Sequence, residues 1–568
     1  MSASFAVLIF SLVFLGFGFY MKHLETVPKK GGDYTEALVG SPKYINPLYA
    51  SINDTDNDIT HLVFSSLLKY DGNGNLINDL ARSYEISPDG KTYTFKIRTD
   101  AKWDNGTNIT ADDIVFTVGA IKDPAYKSPL LNSFSGVDAE KIDDETVKFT
   151  LSEPYAPFLD LMTFGILPQS VWSQIPAGSA SLADLNLKPI GSGPYEFKSL
   201  TKDKNGQIKT YTLAANKDYY DGEPNITNLT FKIFGSYDEA LQAFNEKTVD
   251  GISRLPEGMK DKVAAKNAVS VHKLISPQLN LIFLNSKNNQ ALADLNVRQA
   301  LAFAIDRNEI VNQVFGGDAR IANGPILPDN FSYCQDARVY NFDKAKAEQL
   351  LDNAGWSIVE ITDGDINKIK QAQKNNSKVD EYDDEKLALG PGAWRFKNGF
   401  LVVKLTAVDS VDRQIIEKIK NDWEGVGVKT VIDTVPAAQI QSEVIQPREF
   451  EALLYGQIVG QDPDLYAFWD SSQIGSGANI SGYANKDVDR LLETGRATID
   501  INARKEDYCK FQKDITNDEP AIFLYSPDYI YAQSKKVKGV SVNKIETPAD
   551  RFTDIGDWYV NTGKKIVW

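Results

Sequence analysis

The sequence is poor in the residues that most often bind metal ions. Only three histidines, His23, His61 and His272, and two cysteines occur among 568 residues, and the histidines share no local spacing. Zinc sites are built from histidine and cysteine at short, regular spacings. We therefore expect no histidine-ligated metal site and no metal cofactor. Cys334 and Cys509 are compatible with a disulfide in an exported protein or with two buried thiols.

Basic residues are also scarce relative to acids, since 61 lysines and arginines are set against 77 aspartates and glutamates, a net charge of −16. A nucleic-acid-binding protein needs a basic surface to displace counterions from phosphates, so this class is excluded. Catalytic signatures are absent too: there is no GxSxG and no HExxH. Glu85 occupies the position of the first glycine that a phosphate-binding loop ending at residues 90–92 would need. We expect no catalysis, with a hydrolase using two distant carboxylates as the alternative.

One long apolar run is present, at residues 3–21, ASFAVLIFSLVFLGFGFYM, and it carries no charge. A run of about 18 such residues or more can span a bilayer as a helix. We expect an N-terminal hydrophobic helix that serves as an uncleaved anchor or an atypical signal, followed by a polar tether to residue 30. Lys22, Lys29 and Lys30 follow the run, and the positive-inside rule alone would place the body in the cytoplasm.

The rest of the chain mixes helical and strand patterns, and its length calls for two or three domains. Residues 91–103 alternate, with Tyr93, Phe95 and Ile97 on one face, which predicts a half-buried strand. Residues 146–151 repeat the pattern. Between them, Thr110 precedes two acids and an apolar run, as expected for the N-cap of a helix.

The second half of the chain predicts a βαβ unit. Residues 401–408 and 429–435 have strand patterns, and the helix between them is expected to begin at the N-cap Ser410, end at Gly425 and bury Ile415, Ile416, Ile419 and Trp423. Residues 296–317 predict one continuous helix that ends at Gly316. Residues 361–391 are polar and highly charged, and predict a mobile surface insertion.

Several stretches together resemble a known family. They are YTEALVGSPKYINPLYA, LVFSSLLKYDGNGNLINDLARSYEISPDGKTYTFKIRTDAKWDNGTNITADDIVFT, PIGSGPYEF, YYDGEPNITNLTFKIF and NVRQALAFAIDRNEIVNQVFGGDARIANGPILP. In this order and spacing they are similar to the family 5 extracellular solute-binding proteins, the oligopeptide- and dipeptide-binding components of ABC importers. The resemblance runs from about residue 31 to the C-terminus.

The resemblance implies an α/β fold, a two-lobed periplasmic-binding-protein clamshell (type II, cluster C-like) with an extra subdomain behind the N-terminal hydrophobic helix. The segment 1–30 would be anchor or signal plus tether. Lobe I would hold 31–60, 186–280 and 529–568, a family-specific subdomain 61–185, and lobe II 281–528. The chain would cross between lobes near residues 280–286 and 521–527.

The resemblance also directs attention to residues 460–470, GQDPDLYAFWD. In peptide-binding members the strand before this motif pairs with the ligand backbone, which here implies Leu454–Gln457 and so Tyr455, Gly456 and Gln457. An acid nearby holds the ligand's amino group. Oligopeptide binders place it where this chain has Val459, which leaves Asp462 first and Asp464 second, although Asp-Pro also favours a simple turn.

Five further residues are candidates for ligand contact, each with a plain structural alternative such as turn formation or a solvated surface. These are Trp394, Asn479, Tyr483, Asn46 and Arg413.

The function implied is the capture of peptides for an ABC importer, on the outer face of the cytoplasmic membrane or in the periplasm. The expected partners are a peptide ligand, the permease subunits and the membrane, with a monomeric body and no nucleic acid. Within the family the alternative ligands are sugars, metal chelates and other small solutes, and outside it the alternative is a sensor domain. The identity and length of the ligand are not encoded in any motif.

Overall fold

The computed structural model describes residues 24–256, 258–263, 266–375, 377–475 and 477–566. The apolar run 3–21, on which the expected N-terminal helix depends, lies outside these residues. Within the described ranges, no helix is both long enough and apolar enough to cross a membrane. The described chain is a mixture of helices and sheets, as the sequence predicts.

The largest sheet has seven strands. In spatial order these are Val269–Leu274, Tyr529–Ser534, Gly251–Ile252, Asp33–Val39, Asn228–Phe234, Ile208–Ala215 and Tyr195–Lys202. Asp33–Val39 is parallel to both of its neighbours, and the remaining pairs are antiparallel.

A second sheet has six strands. In spatial order these are Ala319–Ile321, Ala521–Pro527, Gln278–Leu284, Ala452–Ile458, Val402–Val408 and Lys429–Val435. The last three run parallel and the other pairs are antiparallel. The chain passes from the seven-stranded to the six-stranded sheet through residues 275–277 and returns through Asp528.

Smaller sheets complete the β structure. An antiparallel four-stranded sheet orders Ala81–Ile86, Thr92–Ile97, Thr146–Leu151 and Val137–Asp143. The two-stranded ribbons are Leu68–Tyr70 with Leu76–Asn78, Ser357–Ile361 with Gly392–Phe396, and Leu24–Lys29 with Asn561–Ile566. In the four-stranded sheet Tyr93, Phe95 and Ile97 are buried, which confirms the strand predicted from their alternation.

The α-helices cover these sheets. Their bounds are Asp54–Val63, Ala111–Lys122, Phe158–Leu161, Gln169–Trp172, Tyr237–Asn245, Leu295–Ala304, Arg307–Gln313, Lys344–Asn353, Asp363–Lys374, Glu381–Leu389, Arg413–Glu424, Tyr466–Trp469, Lys486–Ala497 and Ile501–Asp518. Separate apolar cores lie on the two faces of the six-stranded sheet, whereas one core is shared by the seven- and four-stranded sheets. Thr110 is the N-cap of Ala111–Lys122, as predicted, and it also forms a capping box with Asp113.

The helix predicted over 296–317 is wrong in its continuity. The helix is interrupted between Ala304 and Arg307, where the backbone of Ile305 is extended. The side chain of Asp306 accepts a hydrogen bond from the backbone N–H of Glu309, and its own N–H donates to Asp422 at 3.0 Å. This new cap and the tertiary contact compete with helical backbone bonds, while the apolar stripe of the sequence remains largely buried.

The βαβ unit is confirmed, since Val402–Val408 and Lys429–Val435 pair in parallel around the helix Arg413–Glu424. The predicted inward residues Ile415, Ile416, Ile419 and Trp423 are buried. The N-cap is Asp412 rather than Ser410, because the Asp412 carboxylate accepts from the N–H of Gln414 at 2.7 Å.

Residues 361–391, predicted as a mobile surface insertion, contain regular secondary structure. They contain the helices Asp363–Lys374 and Glu381–Leu389, and the first begins with a capping box between Thr362 and Asp365. Ile366 and Ile369 are buried, and Ile366 packs in a small apolar cluster with Trp394. Only a narrow face of the helix pair packs against the rest of the protein. The few apolar residues that this face needs give no clear periodic signal in the sequence.

The expected tether up to residue 30 is also partly a β-strand. Leu24–Lys29 pairs antiparallel with Asn561–Ile566, residue 24 opposite residue 566. The segment following the apolar run is therefore joined to the C-terminal strand.

The two cysteines, left open by the sequence, form a disulfide. Cys334 and Cys509 are bonded, with Cα atoms 4.8 Å apart and 175 residues of sequence separation. Cys509 belongs to the helix Ile501–Asp518, so the bond fixes this helix to the loop that contains Cys334.

A fully buried arginine ties the chain ends of the seven-stranded region together. The Arg551 guanidinium donates to the carboxylates of Glu36, at 2.7 Å, and Asp58, at 2.6 Å. Arg551 and Glu36 are both 0% exposed. Burial raises the pKa of Asp58 to about 6, an effect that the positive charge of Arg551 opposes.

Candidate functional site

The strand Ala452–Ile458 offers backbone groups for a further strand. Its antiparallel pairing with Gln278–Leu284 extends along its whole length, to Ile458. On the other side, its parallel pairing with Val402–Val408 ends at Leu454. Residues 455–458 therefore have one edge that no described strand covers. This edge includes Tyr455, Gly456 and Gln457, the residues that the sequence assigned to backbone pairing with a ligand.

A cavity of about 580 Å³ opens beside this edge. It has both apolar and polar walls: Phe283, Gln441, Ile445, Gln446, Arg448, Tyr455, Gly456, Gln457, Phe468, Gly475, Gly477, Ala478 and Ile480. Its size falls within the range usual for small-molecule sites. Because Tyr455, Gly456 and Gln457 line it, the free edge and the cavity form one continuous candidate site.

Asp462, the first candidate for an ammonium anchor, already has a cationic partner. Arg504 on the helix Ile501–Asp518 forms a salt bridge with its carboxylate, and both side chains are largely buried. Burial raises the pKa of Asp462, and the hydrogen bond from Arg504 opposes this rise. The pair fixes the Asp-Pro turn to the helix.

Asp464, the second candidate, is also engaged. Its carboxylate accepts hydrogen bonds from Arg496 at 2.8 Å and from the Tyr155 hydroxyl at 3.1 Å. Tyr155 follows the four-stranded sheet, so this contact joins that sheet to the six-stranded region. The guanidinium of Arg496 also lies 4.3 Å from the ring centroid of Tyr466. Asp464 thus connects two parts of the fold.

Asn479 and Tyr483 organise the loop behind the cavity. The fully buried Asn479 amide donates to the carbonyl oxygens of Asp470 and Tyr483, at 3.0 and 2.9 Å. The Tyr483 hydroxyl donates to Asp518 at 2.7 Å. These bonds leave the neighbours Ala478 and Ile480 facing the cavity.

The structure does not bring the other three candidates to this cavity. Asn46 is buried, donating to Asn186 at 2.9 Å and accepting from the N–H of Leu48. The Trp394 indole donates to the carbonyl of Gly390. Arg413 is 65% exposed and pairs with Glu417 one helical turn away.

Sequence reasoning missed a polar contact between the two sheet regions. Glu546 accepts from the N–H of Gln461 at 3.1 Å, and Lys544 donates to the side chain of Gln461 at 2.8 Å. Lys544 also pairs with Asp329 at 2.6 Å. Glu546 and Lys544 lie near the C-terminus, Gln461 lies beside the Asp-Pro motif, and Asp329 lies in a distant part of the sequence, so no local spacing signals the contact.

Glu546 has a buried carboxylate oxygen, Oε1, without a hydrogen-bond partner among the described residues. Burial raises the pKa of Glu546 to about 8, with Asp550 adding to the rise and Gln461 and Lys544 opposing it. The folded protein therefore binds this proton more tightly than the unfolded chain. Protonated Glu546 therefore contributes to the free energy of unfolding. This contribution is fully present below about pH 4.5, the usual pKa of a glutamate, and is lost as the pH rises toward 8.

We expect Glu546→Gln to remove this pH dependence. The Tm of the variant relative to wild type should rise between pH 5 and pH 8, because glutamine keeps the shape of the protonated acid. The wild-type loss is on the order of 1.4 kcal/mol per pH unit at its steepest. Thermal unfolding at each pH measures it, with the exposed Glu443→Gln as control. Parallel wild-type and Glu546→Gln curves would contradict the assignment.

With the fold and the site described, the family is clear. The family of bacterial extracellular solute-binding proteins, family 5 (middle region), matches residues 75–479. The match covers well over half of the chain, and the protein belongs to this family. The resemblance read from the sequence is confirmed.

Individual relatives span nearly the whole chain. The oligopeptide-binding protein AppA of Bacillus subtilis (strain 168) is 28% identical over 541 residues, covering 94% of this chain and 92% of its own. The solved structure of AppA from Bacillus subtilis in complex with a nonapeptide superimposes with a TM-score of 0.71 at 26% identity, covering 94% of this chain and 100% of that one. NikZ of Campylobacter jejuni, solved with Ni(L-His), gives a TM-score of 0.73 at 25% identity, covering 93% and 99%.

Proposed function

We propose that this protein binds peptides outside the cytoplasmic membrane and delivers them to the permease of an ABC importer. The observation that carries the proposal is the free backbone edge at residues 455–458, beside a cavity. An extended peptide can add to such an edge through main-chain hydrogen bonds. Main-chain pairing is independent of ligand side chains, so it allows a range of sequences to be carried.

The proposed ligand contacts follow from which side chains of the site already have a partner within the protein. Asp462 and Asp464 have arginine partners, and a ligand ammonium ion would have to compete with Arg504 or Arg496. Backbone pairing along Tyr455, Gly456 and Gln457 requires no such exchange. We therefore assign most of the affinity to this strand and a secondary part to the two carboxylates.

The proposed mechanism is closure of a two-lobed clamshell. One lobe would comprise 31–60, 186–280 and 529–568, with the subdomain 61–185, and the other 281–528. The seven- and six-stranded sheets support this division, and the two connections at 275–277 and Asp528 are the proposed hinge. A ligand shifts such an equilibrium only by its difference in affinity for the two states.

The proposed location is the outer face of the cytoplasmic membrane or the periplasm, with residues 3–21 as anchor or export signal. Membership of an extracellular family supports the external location. The disulfide supports it too, since such bonds persist in oxidising compartments.

Native mass spectrometry of the full chain, extracted in detergent from a peptide-rich host, tests the peptide assignment. We expect co-purifying peptides that share a length but not a sequence, released without cleavage. Small-angle scattering should show a smaller radius after saturation with them. A single non-peptide mass would instead support the alternative that NikZ illustrates, a small solute or metal chelate. Peptide turnover would contradict a role in binding alone.

A further inference from the structure

Gln457, one of the residues that line the cavity beside the free edge, has a side-chain amide without partners among the described residues. Gln457 is 5% exposed, and neither Nε2 nor Oε1 of its amide has a hydrogen-bond partner among the described residues. Leaving a buried polar group unpaired costs about 1–3 kcal/mol. Such a cost is offset when a ligand supplies the missing partners.

Several apolar side chains line the cavity beside its polar ones. Phe283 lies on the neighbouring strand, opposite Leu453, and Phe468, Ile445 and Ile480 contribute further apolar surface. Apolar surface lowers the local dielectric constant, which strengthens a hydrogen bond formed beside it. The cavity thus combines room for a side-chain stem with one unpaired donor and one unpaired acceptor.

The charge of Arg448, which lines the cavity, does not require an acidic ligand. The guanidinium of Arg448 donates to the carbonyl oxygens of Ile445 and Gly477, at 2.5 and 2.7 Å. Another carbonyl, that of Gly475, lies at 3.3 Å. Arg448 is therefore held by the loop that forms the wall, and it shapes the cavity.

The kind of ligand side chain that suits this cavity is decided by which hydrogen bonds it can make to the Gln457 amide. An aliphatic side chain would leave both atoms of the Gln457 amide unpaired, a carboxylate would satisfy only its N–H, and an ammonium only its oxygen. A carboxamide donates and accepts at once. We propose that this cavity selects a ligand residue with a carboxamide side chain, glutamine or asparagine, through paired hydrogen bonds to Gln457.

This inference rests on the proposed function, because a peptide paired along residues 455–458 brings its side chains to the cavity that Tyr455 and Gln457 line. It adds a preference for one residue class to a backbone contact that is otherwise indifferent to sequence. The preference applies at a single position of the ligand.

Titration calorimetry with three series of alanine tetrapeptides tests it. Each series places one glutamine, one norleucine or one glutamate at each position in turn. At one position, we expect the glutamine peptide to bind at least about tenfold more tightly than the norleucine peptide. In Gln457→Leu this ratio should fall to near one. The control Gln371→Leu, at an exposed glutamine on the helix Asp363–Lys374 that does not line this cavity, should keep the wild-type ratio.

Gln457→Leu replaces an unpaired amide by an apolar side chain, so its Tm without ligand should equal or exceed that of wild type, and this establishes that it folds. An unchanged ratio in Gln457→Leu, or tighter binding of glutamate than of glutamine, would overturn the carboxamide assignment and leave peptide binding intact. Failure of every tetrapeptide, and of alanine peptides of every length that co-purifies with the chain, to bind would overturn both proposals.

Discussion

Arg551→Met should destabilise the protein by about 3–5 kcal/mol, because it leaves the carboxylates of Glu36 and Asp58 buried without their cation. Methionine fills similar space, so loss of charge pairing, rather than a cavity, dominates the effect. The loss of stability should be greatest above the pKa of Asp58, about 6 in the wild type, because removal of the cation raises this pKa further. Tm measured from pH 5 to 8 reports both effects.

An exposed arginine provides the matched control. Arg413→Met removes a surface ion pair with Glu417, and such pairs contribute between 0 and about 1 kcal/mol. A triple variant with Glu36→Gln and Asp58→Asn should recover much of the stability lost in Arg551→Met, since it removes the uncompensated charges. Equal Tm values for Arg551→Met and Arg413→Met would refute the view that the buried pairs stabilise this region.

Reduction of the disulfide is the second change with a large expected effect. Cys334 and Cys509 are 175 residues apart, and the chain-entropy relation gives about 5 kcal/mol for closing a loop of this length. We expect a clear drop in Tm on adding dithiothreitol, and a similar drop in Cys334→Ser/Cys509→Ser. Thiol titration of the denatured wild type should detect no thiols before reduction and two after it.

The double variant is also the control, because dithiothreitol has no bond to break in it and should leave its Tm unchanged. Two thiols in the unreduced wild type would show that the cysteines are not joined. An identical wild-type Tm with and without reductant would show that the bond adds no stability.

The sequence was most informative where burial follows a short period. Tyr93, Phe95 and Ile97 alternate and lie in a strand, and Ile415, Ile416 and Ile419 form the buried face of a helix. It was least informative where a tertiary contact competes with local preference. The contact between Asp306 and Asp422 spans 116 residues, and nothing in the apolar stripe around residue 306 signals the break.

The same limit applies to the candidate site. The strand containing Tyr455, Gly456 and Gln457 was assigned through the family resemblance, and the structure places these residues at an open edge. The engagement of Asp462 could not be foreseen, because its partner Arg504 is 42 residues away on a separate helix. Carboxylates near a turn look equally available in sequence until the arginines around them are located.

The order of strands along the chain has a consequence for synthesis. Every strand of the six-stranded sheet comes from the continuous stretch 278–527, whereas the seven-stranded sheet lacks an internal strand until Tyr529–Ser534 has been made. During elongation the six-stranded region can be completed first, as domains commonly fold in units. The seven-stranded sheet, whose first strand is made earliest, therefore remains incomplete until almost the whole chain has left the ribosome.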